Sequence, residues 1–95
     1  MKYDKQYFIK KFSAIPDELW MTGVPHSEGK CCALGHCGYR IEAMHTEESQ
    51  ALMDLFGGFF EITGVNDNSF CGSEDKRRTE ETPKARVIAA LKEMI

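Results

Sequence analysis

A mainly α, single-domain fold is predicted by three observations. Apolar residues recur at helical spacing in three separate stretches, a capping side chain opens each stretch, and proline or glycine closes two of them. The chain has 95 residues, which suits one domain with one core because domains cluster near ~100–150 residues. The expected architecture is a small helical bundle of three principal helices and one or two short ones. A long loop is expected at about 66–82, with a short strand as the alternative reading of 61–65.

The first helix is expected after Asp4, a suitable N-cap, with Phe8, Phe12 and Ile15 on one face and Lys5, Lys10 and Lys11 off it. Pro16 ends it, because proline has no N–H to donate and disfavours the α conformation of Ile15. Pro16 to Trp20 suits a short helical turn. Met21 to Lys30 reads as loop from Gly23, Pro25, Ser27 and Gly29. The apolar string Cys31 to Cys37 suits a two-turn helix ending near Gly38. Thr46 caps the next helix, with Glu47 and Glu48 in its first turn and Leu52, Leu55, Phe56 and Phe59 on one face. Gly57-Gly58 ends it. Glu61 to Val65 is β-branched but has no evident partner strand, and Asn66 to Thr82 reads as loop. The last helix is capped by Thr82 with Pro83 at its first position. Val87, Ile88, Leu91, Met94 and Ile95 line its buried face, with Lys84, Arg86, Lys92 and Glu93 off that face.

Apolar residues form 42% of the chain and charged residues 28%, a balance that excludes wholesale disorder and collagen-like structure. No apolar run approaches the ~18 residues of a membrane span, and Met1 to Lys5 opens no secretory signal. A cytoplasmic protein with no membrane contact is therefore expected. The four cysteines are then expected as reduced thiols. A disulfide framework would have to set Cys31 and Cys32 against Cys37 and Cys71.

The net charge of −3 conceals a pattern. Residues 41–75 hold Glu42, Glu47, Glu48, Asp54, Glu61, Asp67, Glu74 and Asp75 with no lysine or arginine. Residues 1–15 carry Lys2, Lys5, Lys10 and Lys11 against Asp4, and 76–95 are also basic. The ends can fold back onto the acidic middle, or the middle can face a basic partner, since a one-signed patch steers association. The acid excess argues against nucleic acid, and the one basic run, Lys76-Arg77-Arg78, lies between Glu74-Asp75 and Glu80-Glu81.

Several motifs fail on spacing. Gly29-Lys30 is no phosphate loop, because position 24 is Val24 and Cys31 replaces the Ser/Thr. Asp67 opens no calcium loop, because Cys71 takes the fifth place and Arg78 the twelfth. The cluster Cys31, Cys32, His36, Cys37 is more suggestive. Zinc would need Cys32, His36 and Cys37 joined by a distant ligand such as Cys71, His26 or His45. No C-x-x-C pair is present, and buried structural cysteines are the plainer reading. A thiol hydrolase or amidase would use Cys32 as nucleophile, its pKa lowered at a helix N-terminus. His36, His26 or His45 would serve as base, oriented by Asp67 or Asn66. Side by side on one helix, Cys32 and His36 are poorly placed for that work. Trp20 is expected in the core. Phe59-Phe60 could form an exposed partner patch, but with one ring in each orientation expected at a helix end, core is the leading reading for that pair as well.

The strings Trp20-x-x-Gly23, Cys32-Ala33-Leu34-Gly35, Val65-Asn66-Asp67 and Thr82-Pro83-Lys84-Ala85-Arg86-Val87 together resemble a group of small bacterial and phage proteins. These share a W-x-x-G, C-A-L-G, N-D layout closed by a V-x-x-x-L helix. The resemblance spans about Trp20 to Leu91 and implies one domain with Cys32 and Asn66-Asp67 at its organising positions. It brings no activity with it. In that layout the place of His36 holds a small apolar residue, which weighs against a Cys32–His36 pair.

The expected function is that of a small cytoplasmic interaction protein with a protein partner and no cofactor. Its contact surface would be the acidic 41–75 region, through Glu42, Glu47, Glu48, Asp54 and Glu61. A phage-encoded inhibitor occupying a basic groove is one concrete form. The Cys32 hydrolase (Cys32, His36, Asp67) and a zinc-stabilised module (Cys32, His36, Cys37, Cys71) are the alternatives.

Overall fold

In the computed structural model, which describes residues 3–22, 26–27, 29–39, 46–68 and 79–94, Asp4 caps helix α1 (Lys5–Ser13) by accepting from Tyr7 N at 2.9 Å. Phe8 and Phe12 are wholly buried, and Pro16 leads into a 3₁₀ turn at Asp17–Leu19. Trp20 follows as a core anchor, set edge-on to Phe12 at 5.2 Å, with its indole N–H donating to Ile15 O.

The stretch expected as loop after Met21 contains a minimal hairpin, β1 (His26–Ser27) with antiparallel β2 (Lys30–Cys31). Gly29 sits in its turn at φ +82°, a conformation glycine adopts without steric cost. Cys31 therefore belongs to a strand, bridged to Trp20, and the expected two-turn helix shrinks to α2 (Ala33–His36) with Cys32 as its N-cap. Gly38, at φ +93°, lets the chain leave α2. A Cβ there would lie 2.9 Å from Thr46 Cγ2. That close approach lets Thr46 Oγ1 donate to Cys37 O at 2.6 Å while accepting from Ser49 N, so one hydroxyl joins the end of α2 to the start of α3 (Glu47–Phe56).

Gly57 terminates α3 in the left-handed region, its N–H returning to Met53 O. Residues 61–65 are not a strand. They belong to α4 (Phe59–Asp67), which also takes Asn66 and Asp67 out of the expected loop. The reason is hydrogen-bond satisfaction: with no strand alongside, the backbone groups of this half-buried segment are met within the helix. Thr63 offsets its β-branching by donating from Oγ1 to Phe59 O. α5 (Pro83–Glu93) begins as expected, with Thr82 accepting from Ala85 N.

Helix α5 packs on α1 and α4, α4 packs on α3, and α2 is set against α3, α4 and α5. Phe8, Phe12, Leu34, Leu52, Ile62, Val87 and Leu91 meet in one core. Lys5 Nζ donates to Met94 O, tying the start of α1 to the end of α5. The radius of gyration, 12.3 Å, is that of one compact body of this length. The mainly α single-domain expectation holds: five α-helices stand among the described residues, within the three principal and one or two short ones expected, although α4 takes the place of the possible strand. Among those residues no helix is long and apolar enough to cross a membrane.

Candidate functional site

Two places concentrate the chemistry: a buried polar hub around Asn66, and an acidic, aromatic corner where α3 turns into α4.

Asn66 is 1% exposed, and a buried amide is stable only when its polar atoms are paired. Its Oδ1 accepts from Ala33 N at 3.1 Å, and its Nδ2 donates to Met21 O at 3.0 Å and to Asp67 Oδ1 at 2.7 Å. The amide thus caps α2 from a distance, a task the Cys32 side chain does not perform. Arg86 completes the hub from α5. Its guanidinium donates to Val65 O, Glu80 O and Asn66 O at 3.1, 3.1 and 2.7 Å, so the last carbonyls of α4 end on a cation, as the helix dipole favours. Arg86 was expected off the buried face and is instead 6% exposed. A sequence signal for it exists: an arginine in a helix's first turn opposes the dipole, and no carboxylate lies three or four residues away to compensate. Met21, Ala33, Asn66 and Arg86, one from each of four separated strings, meet here.

The proposed nucleophile borders this hub. Cys32 is buried, and desolvation pushes its thiol pKa upward, with Asp67 and Cys31 adding to the rise. The amides of Gly35 and Leu34 pull the other way and are outweighed. The pKa lowering expected at this helix N-terminus is thus overridden by burial. Asp67 comes within electrostatic range of Cys32 but spends its carboxylate on Asn66. His36 turns elsewhere: its ring lies 4.8 Å from Trp20, and Nε2 is buried with no hydrogen-bond partner among the described residues. Burial lowers its pKa, and Lys11 lowers it further against the opposing pull of the Leu19 and Cys31 backbones. What joins Cys32 and His36 is the backbone turn, His36 N donating to Cys32 O at 2.9 Å. Cys37 is buried, with its pKa raised by desolvation. Cys31, Cys32 and Cys37 are all unbridged. Among the described residues no three of His, Cys, Asp and Glu are grouped to hold a metal ion. Cys71 and His45 lie outside those residues, as does the side chain of His26.

The acidic set divides. Glu48 is consumed internally, its Oε1 accepting from Lys11 Nζ and from the Tyr7 hydroxyl. Desolvation, then the Glu48 bond and charge, pushes the Tyr7 hydroxyl up to about 12. Here the basic N-terminal segment does fold back onto the acidic middle. Glu47, Asp54 and Glu61 are exposed, and among the described residues no lysine or arginine pairs with them. Asp54 accepts from Gln50 Nε2 at 2.9 Å, one turn away on α3. Glu42 lies outside the described residues.

Beside Glu61, in the first turn of α4, the pair for which core was the leading expectation lies outside it. Phe59 is 38% exposed and Phe60 83%. Tyr39, Phe59 and Phe60 form a chain of rings at 5.7 and 5.5 Å. Burying a phenylalanine is worth about 1.5–3 kcal/mol, and Phe60 forgoes it. The missed signal is the Gly57-Gly58 break, which starts a new helix with both rings in its first turn.

No protein-family model matches this chain, and neither the curated proteins nor the solved structures show a significant similarity to it.

Proposed function

We propose that this chain is a small interaction module that captures a protein partner with a basic, partly apolar surface at the corner of α3 and α4. Asp54 and Glu61 supply the charge and Phe59 and Phe60 the anchor, while Glu47, at the other end of α3, extends the acidic face, and Glu42, outside the described residues, belongs to the same acidic block by sequence alone. Glu48 is left out of the contact, because its carboxylate already holds Lys11 and Tyr7. The reading rests above all on Phe60, the most exposed large apolar side chain described, standing next to Glu61, whose carboxylate pairs with no cation among the described residues. Aromatic anchors ringed by polar groups carry most of the energy of protein interfaces, and carboxylates around them set orientation and on-rate. The three unbridged cysteines suit a reducing, cytoplasmic setting. A phage-encoded inhibitor occupying a basic groove would be one form of such a module.

The test uses a synthetic amphipathic lysine/leucine helix as the basic probe, with binding followed by fluorescence anisotropy across a salt series. Phe60→Ala is expected to weaken capture about tenfold, the loss of one aromatic anchor worth about 1.4 kcal/mol. Glu47→Lys with Glu61→Lys is expected to weaken it further and to flatten the salt dependence. Equal affinity for wild type and both variants would reject the corner as the contact surface.

A further inference from the structure

A second surface on the molecule has the chemistry that this corner lacks. Along the outer side of α5, Ala85, Ile88 and Ala89 floor an open groove of about 350 Å³. Lys84 and Lys92 line it two turns apart on α5, and Asp17 from the 3₁₀ turn also lines it. Small side chains make the floor: Ala85 and Ala89 leave room that leucines would fill. The volume lies at the low end of the ~300–1,000 Å³ range of binding pockets, a space suited to an aromatic side chain. Among the described residues no carboxylate pairs with Lys84 or Lys92. The groove is thus apolar at its base and cationic along its rim. The corner is aromatic at its centre and anionic around it.

We propose that the groove on α5 receives the Phe59–Phe60 corner of a second copy of this chain. This rests on the corner being a contact surface, and it names one partner for it. Phe60 enters over Ala85 and Ala89 against Ile88, and Glu61, the next residue in the same first turn of α4, reaches Lys84 or Lys92. Asp17, on the same lining, disfavours a carboxylate set beside it and so favours Glu61 at the lysines. The groove and the corner share no residue, so a single groove-to-corner contact is heterologous and closes as a ring or runs on as an open chain, while two such contacts exchanged between two copies make a two-fold pair. Both surfaces are solvated and charged, so the association weakens with salt.

Sedimentation equilibrium of the full chain, under reducing conditions so that its free thiols form no bridges, reads this directly. Wild type is expected to self-associate at low salt and to dissociate in about 1 M salt, where the screening length falls to about 3 Å. Phe60→Ser, and separately Lys84→Glu with Lys92→Glu, are each expected to weaken self-association at least about tenfold. The decisive arm mixes the two. Phe60→Ser keeps an intact groove and the double lysine variant keeps an intact corner, so together they should form a one-to-one complex that neither forms alone. The substituted side chains are exposed or half-buried, and circular dichroism of each variant establishes that it folds. A wild type that stays monomeric, or a mixture that associates no more than its components, overturns the proposal. If the lysine/leucine probe is then still captured in a Phe60-dependent way, the second copy is the wrong partner and the corner survives. If probe capture is lost as well, the corner itself is wrong.

Discussion

At the first turn of α4, Phe60 is 83% exposed and Glu61 faces solvent with no cation paired to it among the described residues, whereas at the last turn Asn66 is 1% exposed and its side chain holds three partners. One short helix thus has a sealed end and an open end. The sealed end is built from groups whose loss would leave buried carbonyls and amides unpaired, so it fixes the fold. The open end holds apolar surface that the fold does not use. The contrast places scaffolding and contact on the same element, and substitutions at the two ends should separate cleanly.

The largest effect is expected at the sealed end. Arg86→Ala removes the donors to Val65 O, Glu80 O and Asn66 O, and each buried group left unpaired costs about 1–3 kcal/mol. A loss of about 3 kcal/mol or more is expected in urea unfolding, a large share of the ~5–15 kcal/mol that holds a domain together. Asn66→Ala should cost about 2–4 kcal/mol by the same reasoning, because Ala33 N and Met21 O lose their partner. Arg86→Lys keeps the charge without the planar fork and should fall between wild type and Arg86→Ala. A cost below about 1 kcal/mol for Arg86→Ala would mean that water replaces the guanidinium, and the sealed end would not be sealed.

Two glycines give the next test. Gly38 and Gly57 have nearly the same φ, +93° and +95°. A Cβ on Gly38 meets Thr46 Cγ2 at 2.9 Å, whereas one on Gly57 meets only Glu61 Cγ at 3.7 Å. Left-handed strain alone costs an L-residue about 1–2 kcal/mol, so Gly57→Ala should sit in that range by thermal unfolding. Gly38→Ala should exceed it, because Thr46 must move and its bonds to Cys37 O and Ser49 N loosen. Equal costs would show that Thr46 yields freely.

A smaller effect is expected from pH. His36 is neutral in its folded setting because burial disfavours the cation, so its folded pKa lies below the ordinary 6.5. The unfolded chain then binds the proton more readily, and stability falls as the pH drops through 6.5 toward the folded value. Above that window the contribution is fully present. Lys11, whose charge adds to the depression, sets part of the slope. His36→Phe should flatten the decline in unfolding free energy between neutral and mildly acid pH. An unchanged slope would assign the acid sensitivity to the carboxylates instead.

How much of this was legible in the sequence follows from how local each signal is. Asp4, Thr46 and Thr82 act within three residues of themselves, and all three caps stand where they were expected. The stripe Val87 and Leu91 was legible for the same reason. The hub was not, because it depends on Asn66 reaching Ala33 and Met21 across gaps in sequence that no periodicity reports. Residues 61–65 misled because β-branching is a weak preference, which helix hydrogen bonding and the burial of Ile62 override. Of the candidate site residues, Glu48 was read as a contact and is an internal anchor. The burial of Cys32 was legible from residue type alone and stands, while the balance between that burial and the helix N-terminus depends on the core around it.

The smallest effect on stability is expected at the open end. Phe60→Ala removes a ring that makes an edge-on contact with Phe59 and otherwise faces solvent, so the unfolding free energy should stay within about 0.5 kcal/mol of wild type. Ile62→Ala, two residues on and wholly buried, should cost about 2–5 kcal/mol by cavity formation. The two substitutions share one helix and differ in which way the side chain points, so differences in helix propensity cannot produce the gap between them. A Phe60→Ala cost approaching that of Ile62→Ala would place the ring in the core through Phe59 and Tyr39. The first turn of α4 would then be part of the scaffold, and the surface offered to a partner would have to lie elsewhere.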